Sequence, residues 1–125
     1  MILLAIKNPD YCTKLRINLE KEGYEVITSD SEKEAENIIN RTTPELAIFE
    51  LKLEYDDSGI TLGYKLKKIK PEIPVIIVAP VNTGLGIKFG YLSEEDKKWI
   101  KADVLIERES GIDNYIETIR NLLES

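Results

Sequence analysis

Five short apolar runs, none long enough for a helix, alternate along the chain with capped amphipathic segments, and this alternation restricts the fold more than any other feature. The runs lie in ILLAI (2–6), YEVITS (24–29), ELAIFELKLE (45–54), IPVIIVA (73–79) and DVLIE (103–107). Short, near-continuous apolar runs of this kind read as strands buried on both faces, the pattern of a parallel sheet. The fourth is the richest in β-branched residues, which pack well on a pleated surface. The third ends on an acid, Glu50, and a carboxylate at the mouth of a buried strand requires a physical account.

The segments between carry helix signals. Asn8 before Pro9 predicts a helix start, Gly23 a left-handed stop, and Tyr11, Leu15 and Leu19 a buried stripe. Ser31 and Glu34 form a capping box whose side chains are expected to satisfy each other's backbone donors, ahead of Ala35, Ile38 and Ile39. A third helix is expected to bury Leu62, Leu66 and Ile69 and to end at Pro71. Ser93 with Asp96 predicts a short fourth helix to about residue 102. Ser110 or Asp113 opens the last helix, with Ile112, Ile116, Ile119 and Leu123 on one side. Strands separated by helices run parallel through right-handed crossovers, with helices on both faces of the sheet. Ligands of such sheets bind beyond the carboxyl ends of the strands, so residues 6–10, 50–57, 79–83 and 107–109 are the positions to test. The 125 residues are expected to form a single domain. The chain stops at Ser125 just past the last helix, so an output domain is expected to be absent or cut away.

Composition excludes several classes. A formal net charge of −6 opposes nucleic-acid binding, which needs clustered cations to neutralise phosphates; the basic stretch KLKKIK (65–70) reads as a solvated helix face. Cys12 is the one cysteine, so no intramolecular disulfide can form, as suits a reducing cytosol. Histidine is absent, which removes the commonest general base and metal ligand. No apolar run is long enough to span a membrane. The expectation is a cytoplasmic domain with no membrane or nucleic-acid partner, no cofactor, no metal and no enzymatic activity.

Over nearly its whole length the pattern resembles a response-regulator receiver domain. The resemblance lies in ILLAIKNPD, EKEGYEVITSDSEKEAENII, PELAIFELKLE, PEIPVIIVAP and KADVLIERE. It implies a (βα)5 flavodoxin-like α/β fold, a three-layer sandwich around a parallel five-stranded sheet of order 2-1-3-4-5. In that family two acids after the first strand bind Mg²⁺ and an Asp ending the third accepts a phosphoryl group. A Thr or Ser ends the fourth strand, and a Lys, usually followed by a cis-proline, ends the fifth. The equivalent positions here are Ile6 and Lys7 for the acid pair, Glu50 for the acceptor, Ala79 for the hydroxyl and Arg108 for the lysine. Glu109 stands where proline is usual, and Leu105 replaces the aromatic that often reports activation. The resemblance therefore implies a degenerate pseudo-receiver, lacking the phosphorylation residues of two-component signalling.

Exchanging a ligand carboxylate for an ammonium beside a divalent ion costs on the order of 10 kcal/mol at ~5 Å and an effective dielectric of ~20. Lys7 and Arg108 instead bring two cations toward Glu50, which predicts a built-in ion pair with Glu50 as a structural counter-ion. The rival reading makes Glu50 a permanent mimic of a phosphorylated residue. Asp56 and Asp57 read as loop acids that cap the next helix, and Cys12 as a small core residue. GLGIKFG (84–90) is faintly like a phosphate-binding loop but lacks the Lys-Ser/Thr that should follow its last glycine.

The loop from residue 80 to 92 is longer than a receiver requires and leads to Phe89, Tyr91, Leu92 and Trp99. These residues are either interface anchors or a plug on the sheet edge. The expected function is protein–protein interaction in a signalling pathway, including a possible homodimer through the face of the fourth helix, fifth strand and fifth helix. The alternatives are a conventional phosphorelay regulator with an atypical acceptor, and a small-molecule or nucleotide-binding module using the 84–90 glycine loop.

Overall fold

The computed structural model describes residues 1–124; the chain end at Ser125 lies outside them. The order is β1 (Ile2–Ala5), α1 (Pro9–Lys21), β2 (Val26–Ser29), α2 (Glu32–Arg41), β3 (Leu46–Glu50), α3 (Ser58–Ile69) and β4 (Val75–Ala79). There follow β5 (Gly90–Tyr91), a 3₁₀ turn (Asp96–Lys98), β6 (Val104–Glu107) and α4 (Ile112–Glu124). The sheet order is β2-β1-β3-β4-β6-β5. Its first five members are parallel and match the flavodoxin-like order expected from the sequence, with β6 as the expected fifth strand.

Alternate strand residues feed two cores. Leu3, Ala47, Phe49, Val75 and Ile77 pack with Ala35, Ile38, Ile39, Leu62 and Leu66 from α2 and α3. Leu4, Ile48, Ile76 and Val78 pack on the opposite face with Leu15 and Leu19 of α1 and Tyr115 and Ile119 of α4. Helix-covered faces on both sides explain why these strands are apolar without alternation.

Four local expectations change. The fourth helix is reduced to a single 3₁₀ turn, although Ser93 Oγ does accept from Asp96 N at 3.1 Å. Residues 94–98 are all charged and offer no apolar stripe, whereas helices in proteins owe their stability mainly to such a face. The segment instead buries Ile100 and Ala102 on its way to β6. Before the turn, Gly90 and Tyr91 pair antiparallel with Leu105 and Val104, adding a sixth strand. The Ser31–Glu34 box is half formed: Ser31 Oγ accepts from Glu34 N at 3.1 Å, but Ser31 N turns to Ser29 Oγ. Ile69 is 49% exposed rather than buried, because the core contact of α3 ends at Leu66.

Two glycines of α3 set its distance from the rest of the fold. A Cβ on Gly59 would lie 2.9 Å from Leu51 Cα and 3.0 Å from the Glu50 carbonyl oxygen. A Cβ on Gly63 would lie 2.6 Å from the Lys101 carbonyl oxygen. Replacing glycine by alanine inside a helix ordinarily stabilises by up to ~1 kcal/mol. Here Gly63→Ala is expected to destabilise, by roughly 1–3 kcal/mol, because backbone must move to admit the methyl group. Urea denaturation gives the sign directly, and a stabilised variant would contradict the close approach.

Candidate functional site

Glu50 is the last residue of β3, and its side chain is held at the carboxyl end of the sheet with only 8% of the residue exposed. Gly59 lets the start of α3 press against this strand end, and Gly59 N donates to Leu51 O at 3.0 Å. One carboxylate oxygen, Oε1, accepts from the backbone N–H of Lys7 at 2.9 Å. The other, Oε2, accepts from Arg108 Nη1 at 3.2 Å. Arg108 follows β6 and is anchored by its own N–H, which donates to Ala79 O at 2.8 Å. Both carboxylate oxygens thus meet a donor, as a buried charge requires.

The predicted ion pair is present, with Arg108 as its cation. Lys7 contributes its amide rather than its ammonium, and its side chain lies on the exposed surface. Ile6, at the other acid-pair position, is buried among the residues packed under α1 and α4. Ala79 and Leu105 are buried on the α2–α3 face. Among the described residues, no group of three or more His, Cys, Asp or Glu is placed to hold a metal ion.

Two tyrosines complete the cluster. The Arg108 guanidinium lies over the Tyr11 ring, 5.2 Å from its centroid, while the Tyr11 hydroxyl donates to the Arg108 carbonyl oxygen at 2.7 Å. With its proton committed there, Tyr11 accepts from the Tyr115 hydroxyl, and the two rings meet edge to face at 6.5 Å. Glu50 of β3, Arg108 after β6, Tyr11 of α1 and Tyr115 of α4 therefore form one continuous polar chain. Burial pushes the Tyr11 phenol above its ordinary value, against the Tyr115 hydrogen bond and the Arg108 charge. Burial and donation to Tyr11 push Tyr115 much further up. Tyr11 was legible only as a stripe residue of α1, and Tyr115 carried no signal of its own. The available clue was a hydroxyl on the apolar side of the last helix, since a buried tyrosine hydroxyl usually needs a partner.

The remaining candidates disperse. Asp57 occupies the N-cap position of α3 but makes no side-chain capping bond; Ser58 Oγ instead accepts from Tyr55 N at 2.9 Å. Leu92 folds into the core beside Ile100 and Ala102, whereas Phe89, Tyr91 and Trp99 are exposed. The 84–90 glycine segment leads into β5 rather than into the start of a helix. Cys12 is buried on α1, and burial pushes its thiol up.

No protein-family model matches the chain. It is 34% identical over 77 residues to the transcriptional regulatory protein GlrR of Escherichia coli K12, a match covering 62% of this chain and 17% of that protein. The transcriptional regulatory protein QseF of Escherichia coli O157:H7 matches to the same extent. The chain thus spans about a sixth of the length of these curated relatives. Among solved structures, the receiver domain of NtrX from Brucella abortus superposes with a TM-score of 0.83 at 23% identity, over 100% of this chain and 99% of that one. A CheY-like response regulator receiver domain protein from Methanospirillum hungatei JF-1 gives 0.78 at 25% identity, over 98% and 92%.

Two measurements probe the cluster. Glu50→Gln, Arg108→Gln and the double variant form a cycle whose coupling energy is expected near 1–2 kcal/mol by denaturant unfolding, below that of a fully buried pair because Arg108 is partly solvated. Both phenols are raised in the folded state, so their contribution is complete below the ordinary tyrosine value of ~10 and is lost as pH rises through the folded values. Tyr115→Phe is therefore expected to flatten the alkaline fall in stability; an unchanged slope would contradict the buried pair. With its strand order and its superposition on solved receiver domains along nearly its full length, the chain has the fold of a response-regulator receiver domain.

Proposed function

We propose that this domain serves signalling by protein–protein recognition, without phosphorylation of its own and without bound Mg²⁺. The observation that carries the reading is the state of Glu50, whose two oxygens are bound by Lys7 N–H and by Arg108. Acyl-phosphate formation needs a carboxylate oxygen free to attack, and a divalent ion to neutralise the incoming phosphoryl oxygens. Against both stand the pairing of Glu50 with Arg108 and the lack of a carboxylate at Ile6 and Lys7 at the end of β1. The donor set does not suit Mg²⁺. Ala79 has no hydroxyl to bond a phosphoryl group, and Leu105 is buried without a ring to reorient. These features favour Glu50 as a structural counter-ion over Glu50 as a phosphate mimic, since its charge is already neutralised within the fold.

Recognition would use the surface made by β5, the 3₁₀ turn and their flanks, where Phe89, Tyr91 and Trp99 are exposed. A homodimer would use the same side of the sheet together with β6 and α4. None of the described helices is long and apolar enough to cross a membrane, and the reading places the domain in the cytoplasm. Incubation with acetyl phosphate and Mg²⁺ followed by intact-mass measurement is expected to return the unmodified chain, with Trp99 fluorescence unmoved by Mg²⁺ alone. A mass gain of one phosphoryl group, on Glu50 or on Asp56 or Asp57, would overturn the proposal.

A further inference from the structure

We propose that a second site, at the amino end of the sheet, binds an acidic peptide segment of a partner protein. The groove lies between the C-terminal half of α3 and the segment leading into β6, has a volume of about 440 Å³, and is lined by Tyr64, Lys67, Lys68, Lys97, Lys101 and Asp103, with Pro71 and Ala102. Four ammonium groups meet one carboxylate there, a local excess of +3 in a chain whose net charge is −6.

Part of this charge is structural and part is free to act. Lys67 Nζ donates to Asp103 Oδ2 at 2.7 Å, to Ile73 O at 2.6 Å and to Pro71 O at 3.1 Å. Asp103 Oδ2 also accepts from Val75 N at 2.9 Å. Lys67 and Asp103 therefore tie the end of α3 to the starts of β4 and β6 and have little left for a ligand. Lys97 reaches Asp103 Oδ1 only at 3.7 Å and the exposed Glu94 at 3.8 Å. Lys68 and Lys101 enter no ion pair among the described residues. Gly63 brings the Lys101 backbone against α3, so the two walls are held together before any ligand arrives.

The occupant follows from charge and shape. Tyr64 is 54% exposed and, with the exposed Pro71, supplies apolar surface between the lysines, which suits alternating acidic and apolar side chains. The lining contains no arginine to clasp a phosphate bidentately. Spaced carboxylates on an extended chain match spaced ammonium groups better.

The test is fluorescence polarisation with a labelled peptide of alternating Glu and Leu, against the full chain. Saturable binding that weakens as salt rises is expected. Lys68→Glu with Lys101→Glu is expected to weaken it about tenfold or more through charge reversal, at an unchanged melting temperature. Lys21→Glu, on the exposed side of α1, is expected to retain binding. The proposal is overturned by absence of saturable binding, by equal weakening in Lys21→Glu, or by tripolyphosphate occupying the groove where the peptide does not. The site is remote from Glu50, so its failure leaves the reading of that cluster untouched.

Discussion

A carboxylate at the end of a buried strand demands a compensating charge, and the carboxyl end of this sheet is built around that demand. Glu50 is nearly buried at the end of β3, the middle strand of the parallel five, where α3 packs against the strand end through Gly59. The Lys7 amide and the Arg108 guanidinium meet it there. Arg108 in turn rests on the Tyr11 ring and binds the Tyr11 hydroxyl through its carbonyl oxygen, and Tyr115 closes the chain. One charge thereby couples β3, β6, α1 and α4. A buried pair of this kind adds little net stability relative to an apolar pair, but losing one partner leaves a buried charge, so the cluster selects this arrangement of elements more than it strengthens it.

The amino end of the sheet uses the same physics differently. Lys67 and Asp103 tie α3 to β4 and β6 with short, charge-assisted bonds, and are partly buried. Around that tie the remaining lysines stay solvated. The carboxyl end is charge-compensated and packed, whereas the groove beside Lys68 and Lys101 at the amino end keeps a cationic excess on an acidic molecule.

The layered fold was legible because the apolar runs and the caps agree. Asn8 and the stripes of α1 and α2 behave as their local patterns predict, and Ser31 caps α2 although its box with Glu34 is only half formed. The failures share a cause. Ser93 forms its capping bond, yet no helix follows, because the charged residues after it have nothing to bury. Ile69 has the spacing of a core residue but lies past the end of the packed surface. At the site, an ion pair of Glu50 with Lys7 or Arg108 was foreseen from charge and from strand-end position in the receiver pattern, while the choice of Arg108 and the use of Lys7's amide depended on the direction of the side chains. The partner of Tyr115 was hidden because its hydroxyl bonds a residue 104 positions away.

By itself the sequence determined the alternation of strand and helix, the parallel sheet, and the presence of an uncompensated acid among nearby cations. These follow from periodicity and composition, which act over a few residues. Only the tertiary structure decided which cation answers Glu50, that two tyrosines brace it, that a sixth strand joins the sheet while the fourth helix shrinks to a 3₁₀ turn, and that Gly59 and Gly63 admit close backbone contact. Those outcomes depend on distances between segments far apart in the chain, and such distances are set by packing rather than by local pattern.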